Sequence, residues 1–203
     1  MFVKICGVTD EAGLAAASRA DAVGFVFAES PRRISPQRAA ELTELLPDGV
    51  ETVAVFSEAT QADIDAVCEV FRPDLIQTED GGGLTLPDGV ALLAVFHDGD
   101  GMLSELAAFA VNHPSARVIL EGAAVGGQGV RADVSRAAQA SSLPLRIILA
   151  GGLSPANVGD IISETSPWGV DVSSGVESSR GVKDPHKIHQ FIDAAKLAAR
   201  RTR

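Results

Sequence analysis

Few side chains in this sequence are both reactive and placed where a run of apolar residues ends. Cys6 follows Phe2-Val3-Lys4-Ile5 and stands directly before Gly7, so its thiol can sit at a strand end near a helix beginning at Thr9, where its ionisation depends on the surroundings. Taken alone it also reads as a buried small filler, since free cysteine is among the most buried residue types. Glu121 closes Val118-Ile119-Leu120 ahead of Gly122, and partial desolvation there would raise its pKa and suit it to give up a proton. The alternative is a solvated loop carboxylate. Asp171 interrupts Val170 and Val172, a position costly for an unpartnered carboxylate, so it either meets a ligand or bonds nearby loop groups. Arg32 and Arg33 follow an apolar run in a proline-containing loop, where a guanidinium could grip a carboxylate or phosphate or simply face solvent.

Beside these groups lie two small-residue turns, Gly151-Gly152-Leu153-Ser154 and Ser173-Ser174-Gly175, each directly after an apolar run. Glycine lets the main chain approach an anion, and the N–H groups opening a helix lack partners inside it. Two such turns in succession read as a phosphate cup, with Gly151, Gly152, Ser173 and Ser174 as main-chain donors.

Positioning these residues on one pocket requires an element order that gathers strand ends. Short β-rich runs at about residues 2–6, 21–27, 50–56, 73–78, 90–96, 116–121, 145–150 and 168–172 alternate with Ala- and Leu-rich segments at helical spacing. That order predicts an α/β fold, a single (βα)8 TIM barrel over 1–203, in which a phosphate site commonly follows strands seven and eight. Helix starts are expected at Thr9, Ser35-Pro36, Ser154-Pro155 and Asp184-Pro185. The fourth unit is short: Glu79 to Gly89 is too rich in breakers for a regular helix. Cys68 is expected to pack in the core from a helix, and Trp168 to start the last strand away from ligand.

A formal charge of −10 spread over the chain disfavours nucleic acid or an anionic membrane as a general partner. With two cysteines and four dispersed histidines there is no disulfide framework and no metal motif, so neither metal nor organic cofactor is expected. Neither a leader pattern nor a run long enough to cross a bilayer is present, which gives a cytoplasmic expectation. Oligomeric state stays open between monomer and homodimer.

Taken in order, several of these segments resemble phosphoribosylanthranilate isomerase. The most specific are Val3-Lys4-Ile5-Cys6-Gly7-Val8-Thr9, Asp21-Ala22-Val23-Gly24-Phe25-Val26-Phe27 and Ser30-Pro31-Arg32-Arg33-Ile34-Ser35. Weaker matches occur at Val53-Ala54-Val55-Phe56, Ile76-Gln77 and Gly126-Gly127-Gln128-Gly129, before Leu149-Ala150-Gly151-Gly152-Leu153, Val170-Asp171-Val172-Ser173-Ser174-Gly175-Val176-Glu177 and Gly181-Val182-Lys183-Asp184. The resemblance implies an Amadori rearrangement of a phosphorylated aminosugar, in tryptophan biosynthesis, with no external electron carrier. It implies Cys6 as base, Glu121 as acid, Arg32 on the anthranilate carboxylate and Asp171 by the sugar. Phosphate contacts would come from Gly127, Gly129, Gly151, Gly152, Ser173 and Ser174.

Two departures from the family pattern stand out. Glu121 occupies a position where the family usually has Asp, and Thr78-Glu79-Asp80 replaces Leu-His-Gly, removing a family histidine. Two other readings therefore stay in play: an isomerase that also takes a related histidine-pathway substrate, which the absence of a second clear cup disfavours, and a noncatalytic sugar-phosphate-binding barrel.

Overall fold

The computed structural model describes residues 1–79, 83–122 and 132–201. Eight parallel strands form a closed barrel in chain order: β1 (Phe2–Cys6), β2 (Ala22–Val26), β3 (Glu51–Val55), β4 (Leu75–Thr78), β5 (Ala91–His97), β6 (Arg117–Glu121), β7 (Arg146–Leu149) and β8 (Gly169–Val172). The ring shuts where β8 pairs with β1, with Lys4 opposite Asp171. Each expected strand is present within about two residues of its predicted ends.

Seven α-helices are present among the described residues: α1 (Glu11–Ala17), α2 (Pro36–Thr43), α3 (Gln61–Cys68), α4 (Met102–Asn112), α5 (Val134–Ser141), α6 (Val158–Thr165) and α7 (Pro185–Arg201). The starts of α1, α2, α3, α5 and α7 follow side-chain oxygens that take up otherwise unbonded first-turn N–H groups. Ser35 caps α2 from its hydroxyl and Asp184 accepts from His186 and Lys187 at the head of α7, as expected. The cap of α1 is Asp10 rather than Thr9, because the longer carboxylate takes the Gly13 N–H at 2.7 Å. The α6 start also differs. Asn157 accepts from the Ser154 N–H and donates to Gly152 O, holding residues 155–157 as a turn, so the regular helix begins only at Val158.

Between β4 and β5 no helix occurs among the described residues, in keeping with the breakers there. Two features between β8 and α7 were not anticipated, a single 3-10 turn at Ser174–Val176 and an antiparallel pair of β9 (Glu177–Ser179) and β10 (Val182–Lys183).

Alternation along the strands divides the apolar core in two. Phe2, Cys6, Val53, Val55, Leu75, Leu93, Val95, Ile119 and Ile148 point into the barrel, while Val3, Ile5, Val23, Phe25, Ile76 and Leu120 face the helices. Each such side chain removed from water stabilises the fold by roughly 1.5–3 kcal/mol. The inward parity decides what reaches the mouth: continuing it by two residues from Leu93 and Val95 gives His97, from Ile119 gives Glu121, and from Phe2 gives Lys4 and Cys6. Trp168 stacks on Phe2 at 4.8 Å, next to the start of β8. Cys68 ends α3 and is half-buried, packed against the core margin.

Candidate active site

The inward residues at the strand ends surround a cavity of about 160 Å³ whose walls include Cys6, Arg32, Gln77, Glu79, Glu121, Asp171 and Ser173. A thiol from β1 and a carboxyl from β6 thus share one pocket. Gly24, opposite Cys6 in the β1–β2 register, makes room for the sulfur: a Cβ there would lie 3.2 Å from Cys6 Sγ.

Under the thiol sits Lys4, fully buried, with Nζ 3.1 Å from an Asp171 carboxylate oxygen. Burial works against its charge, but Asp171 and Cys6 more than offset that, and the ammonium is held above its ordinary range. This pair explains how Asp171 survives in an apolar strand. Burial pushes the Cys6 thiol up; Lys4 opposes the shift, Asp171 adds to it, and Lys183 opposes it again. Burial likewise raises the Glu121 carboxyl, reinforced by the negative charge of Asp171 and opposed by His97 and Lys4.

Arg32 does not project freely into the cavity. Its Nε and one Nη donate to the two oxygens of Glu177 at 2.6 and 3.1 Å, a forked pair in which Glu177 also accepts from Lys183 at 3.1 Å and from the Gly181 N–H. Burial would raise the Glu177 carboxyl, yet the Arg32, Gly181 and Lys183 donors together hold it below the usual range. The β9–β10 pair therefore ties the loop after β2 to the loop after β8. Arg33, in contrast, is exposed.

Around the cup, Glu121, Gly151, Gly152, Asp171, Ser173 and Ser174 line a narrow crevice adjoining the main cavity. Gly151 and Gly152 both adopt left-handed backbone conformations, with φ of 83° and 61°. No described residue accepts a hydrogen bond from the N–H groups of Gly152, Ser173 or Ser174. The two turns touch so closely that a Cβ on Gly175 would come within 1.8 Å of Leu153 O. Gly127 and Gly129 lie outside the described residues.

Sequence reasoning passed over Lys4, Glu177, Lys183 and His97 as site residues. Lys4 left a signal that could have been read: a lysine at an inward parity position of a buried strand demands a buried anion.

A family model, N-(5'phosphoribosyl)anthranilate (PRA) isomerase, matches residues 3–194. The chain belongs to this family. It is 37% identical over 211 residues to an N-(5'-phosphoribosyl)anthranilate isomerase of Pseudomonas paraeruginosa, covering 98% of this chain and 96% of that one. The corresponding protein of Thiobacillus denitrificans is 39% identical over 209 residues, with 97% and 98% covered. Among solved structures, the phosphoribosyl anthranilate isomerase of Thermotoga maritima superposes with a TM-score of 0.85 at 30% identity, covering 97% of this chain and 99% of that one. A further phosphoribosyl anthranilate isomerase structure, in complex with reduced 1-(o-carboxyphenylamino)-1-deoxyribulose 5-phosphate, matches with a TM-score of 0.82 at 30% identity and the same coverage. Against the family pattern, Glu79 holds the place of the missing histidine, and an imidazole reaches this end of the barrel instead from β5, at His97.

Proposed function

We propose that the chain is a phosphoribosylanthranilate isomerase, converting N-(5-phosphoribosyl)anthranilate to 1-(2-carboxyphenylamino)-1-deoxyribulose 5-phosphate, with Cys6 as base and Glu121 as acid. The observation that carries the assignment of roles is that these two groups line one cavity beside a cup of unengaged main-chain donors. Glu121 protonates the furanose ring oxygen as the ring opens to an iminium. The iminium acidifies the C2′ proton, Cys6 thiolate removes it, and the enolamine tautomerises to the ketone. Protons balance within the substrate and the two side chains, so no electron carrier enters.

Support for the binding roles is local. Glu177 occupies one edge of the Arg32 guanidinium, and a guanidinium has five N–H donors, so the other edge serves the anthranilate carboxylate. The phosphate dianion takes the N–H groups of Gly151, Gly152, Ser173 and Ser174, with Gly127 and Gly129 assigned to the same task. Asp171 lies at the sugar, between the thiol and the cup.

Next to the cavity, a groove of about 900 Å³ runs between the loops after β2 and β3, lined by Glu29, Glu58, Asp63 and Glu79 against a single cation, Arg33. Such a wall repels a second phosphate, which favours the single-phosphate substrate over a larger one carrying two. A relative from Thermotoga maritima is described as dimeric; for this chain, monomer and homodimer are separated by sedimentation. No helix among the described residues is long and apolar enough to cross a membrane.

The test is turnover of phosphoribosylanthranilate by purified protein in chelator-treated buffer, alongside the histidine-pathway substrate. Turnover of the first alone is expected. Saturable binding of the reduced product analogue with no turnover at any pH would instead establish a noncatalytic barrel.

A further inference from the structure

His97 ends β5 directly opposite Glu121 in the β5–β6 register, and both residues share the inward parity of Val95 and Ile119. Neighbouring parallel strands lie about 4.8 Å apart, so the two side chains leave adjacent points on the same wall. Both ring nitrogens of His97 are shielded from solvent, and among the described residues neither has a hydrogen-bond partner. Glu79 approaches the ring from the end of β4, with Oε1 3.5 Å from Nε2, too far for a well-formed hydrogen bond. The side chain is only half-buried, yet ring nitrogens shielded without a partner are uncommon, since buried polar atoms are almost always bonded. Glu121 is the register partner of His97 and is not bonded to the ring in this arrangement; Gln77 Oε1, inward on β4, is also buried without a partner among the described residues.

From this geometry we infer that His97 is a positioning residue for the general acid, its imidazole bonding the Glu121 carboxyl and turning it toward the ring oxygen, while Glu79 steadies the opposite edge of the ring. The extra methylene of Glu, compared with Asp, gives the carboxyl the reach to bond sideways to β5 and still face the cavity. The inference rests on Glu121 being the acid. Groups facing Glu121 from the surrounding elements are Lys4 and Cys6 on β1, Glu79 after β4, His97 on β5 and Asp171 on β8. Asp98, next along from His97, is engaged elsewhere by Arg136 and by the Asp133 N–H. Of these groups, His97 and Lys4 favour the ionised carboxyl, and His97 alone is its register neighbour.

The experiment pairs kinetics with a readout that does not need turnover. Carboxyl-¹³C NMR of Glu121, assigned with Glu121→Gln, follows its titration in the wild type, His97→Gln and His97→Ala. Both variants should raise the Glu121 midpoint, because His97 favours the ionised carboxyl. In kinetics, His97→Ala should lower kcat by about tenfold or more with KM within about twofold, and His97→Gln should recover part of kcat by restoring a hydrogen bond. An unmoved Glu121 midpoint in both folded variants overturns the inference, whatever their activity. A wild type that binds the product analogue but never turns over substrate would refute the assigned activity, and the NMR comparison would still decide whether His97 acts on Glu121. Should His97→Ala fail to fold, His97→Gln carries the same NMR comparison.

Discussion

At the residue scale, the site holds its proposed base and acid with both pKa values raised. Burial works against the thiolate that the base needs and towards the protonated carboxyl that the acid needs. The pH profile of kcat/KM should report both groups, one limb set by Cys6 and one by Glu121. Lys4→Met should push the limb set by Cys6 to higher pH, since losing the adjacent ammonium disfavours the thiolate. It should also destabilise the protein by about 3–5 kcal/mol, measured by urea unfolding, because Asp171 is left buried without its cation. Adding Asp171→Asn should return much of that stability without returning activity. Cys6→Ala should reduce kcat by about 10²–10⁴-fold while product-analogue affinity changes little, as judged by calorimetry. Glu121→Asp withdraws the carboxyl by about 1 Å, and a loss on the order of a hundredfold in kcat is expected in a pocket shaped for the longer side chain.

At the scale of elements, the turn after β7 and the turn after β8 act as one unit, because Gly175 packs directly on the Leu153 carbonyl. Gly175→Ala cannot be accommodated without parting the turns; it should cost about 1–3 kcal/mol and weaken inorganic phosphate binding, followed by chemical denaturation and titration calorimetry. The eight strands were legible in the sequence because each is a short apolar run bounded by breakers, and the lack of a helix between β4 and β5 among the described residues was legible because Gly81-Gly82-Gly83 and Pro87 disfavour one. That Cys6, Glu121 and Asp171 line one cavity was legible from their position at strand ends. The β9–β10 pair was not, since Glu177-Ser178-Ser179 carries no alternating apolar pattern and the pair is held by ionic bonds from Arg32 and Lys183 rather than by an apolar face. Lys4 and His97 were missed for a related reason. Their meaning depends on which residue faces them across a strand pair, and register between distant segments is not written in either segment alone.

At the scale of the whole molecule, several carboxylates are held ionised by partners distant in the chain. Glu177 stays below its ordinary range despite burial through Arg32, Gly181 and Lys183, and Asp98 does so chiefly through its hydrogen bond from Arg136. For groups with depressed folded-state pKa values the stabilisation is complete above the unfolded value, near 4.5 for Glu and 3.8 for Asp, and is lost as pH falls through the lower folded values. Thermal stability should therefore decline on acidification below that range, and Glu177→Gln should flatten the decline in a melting series while loosening the Arg32 loop. Glu121 runs the other way. Its raised pKa means that ionising it in the fold is unfavourable, so a Glu121→Gln protein should melt at a higher temperature at neutral pH than the wild type.

The seam between β1 and β8 has one more consequence. Cys6 belongs to the first strand, yet it is sealed and electrostatically conditioned only when the last strand brings Asp171 alongside Lys4. During refolding the sulfur should remain open to alkylating reagents until the ring is complete. In a Cys68→Ser background, the moment at which iodoacetamide labelling stops would serve as a chemical clock for annular closure.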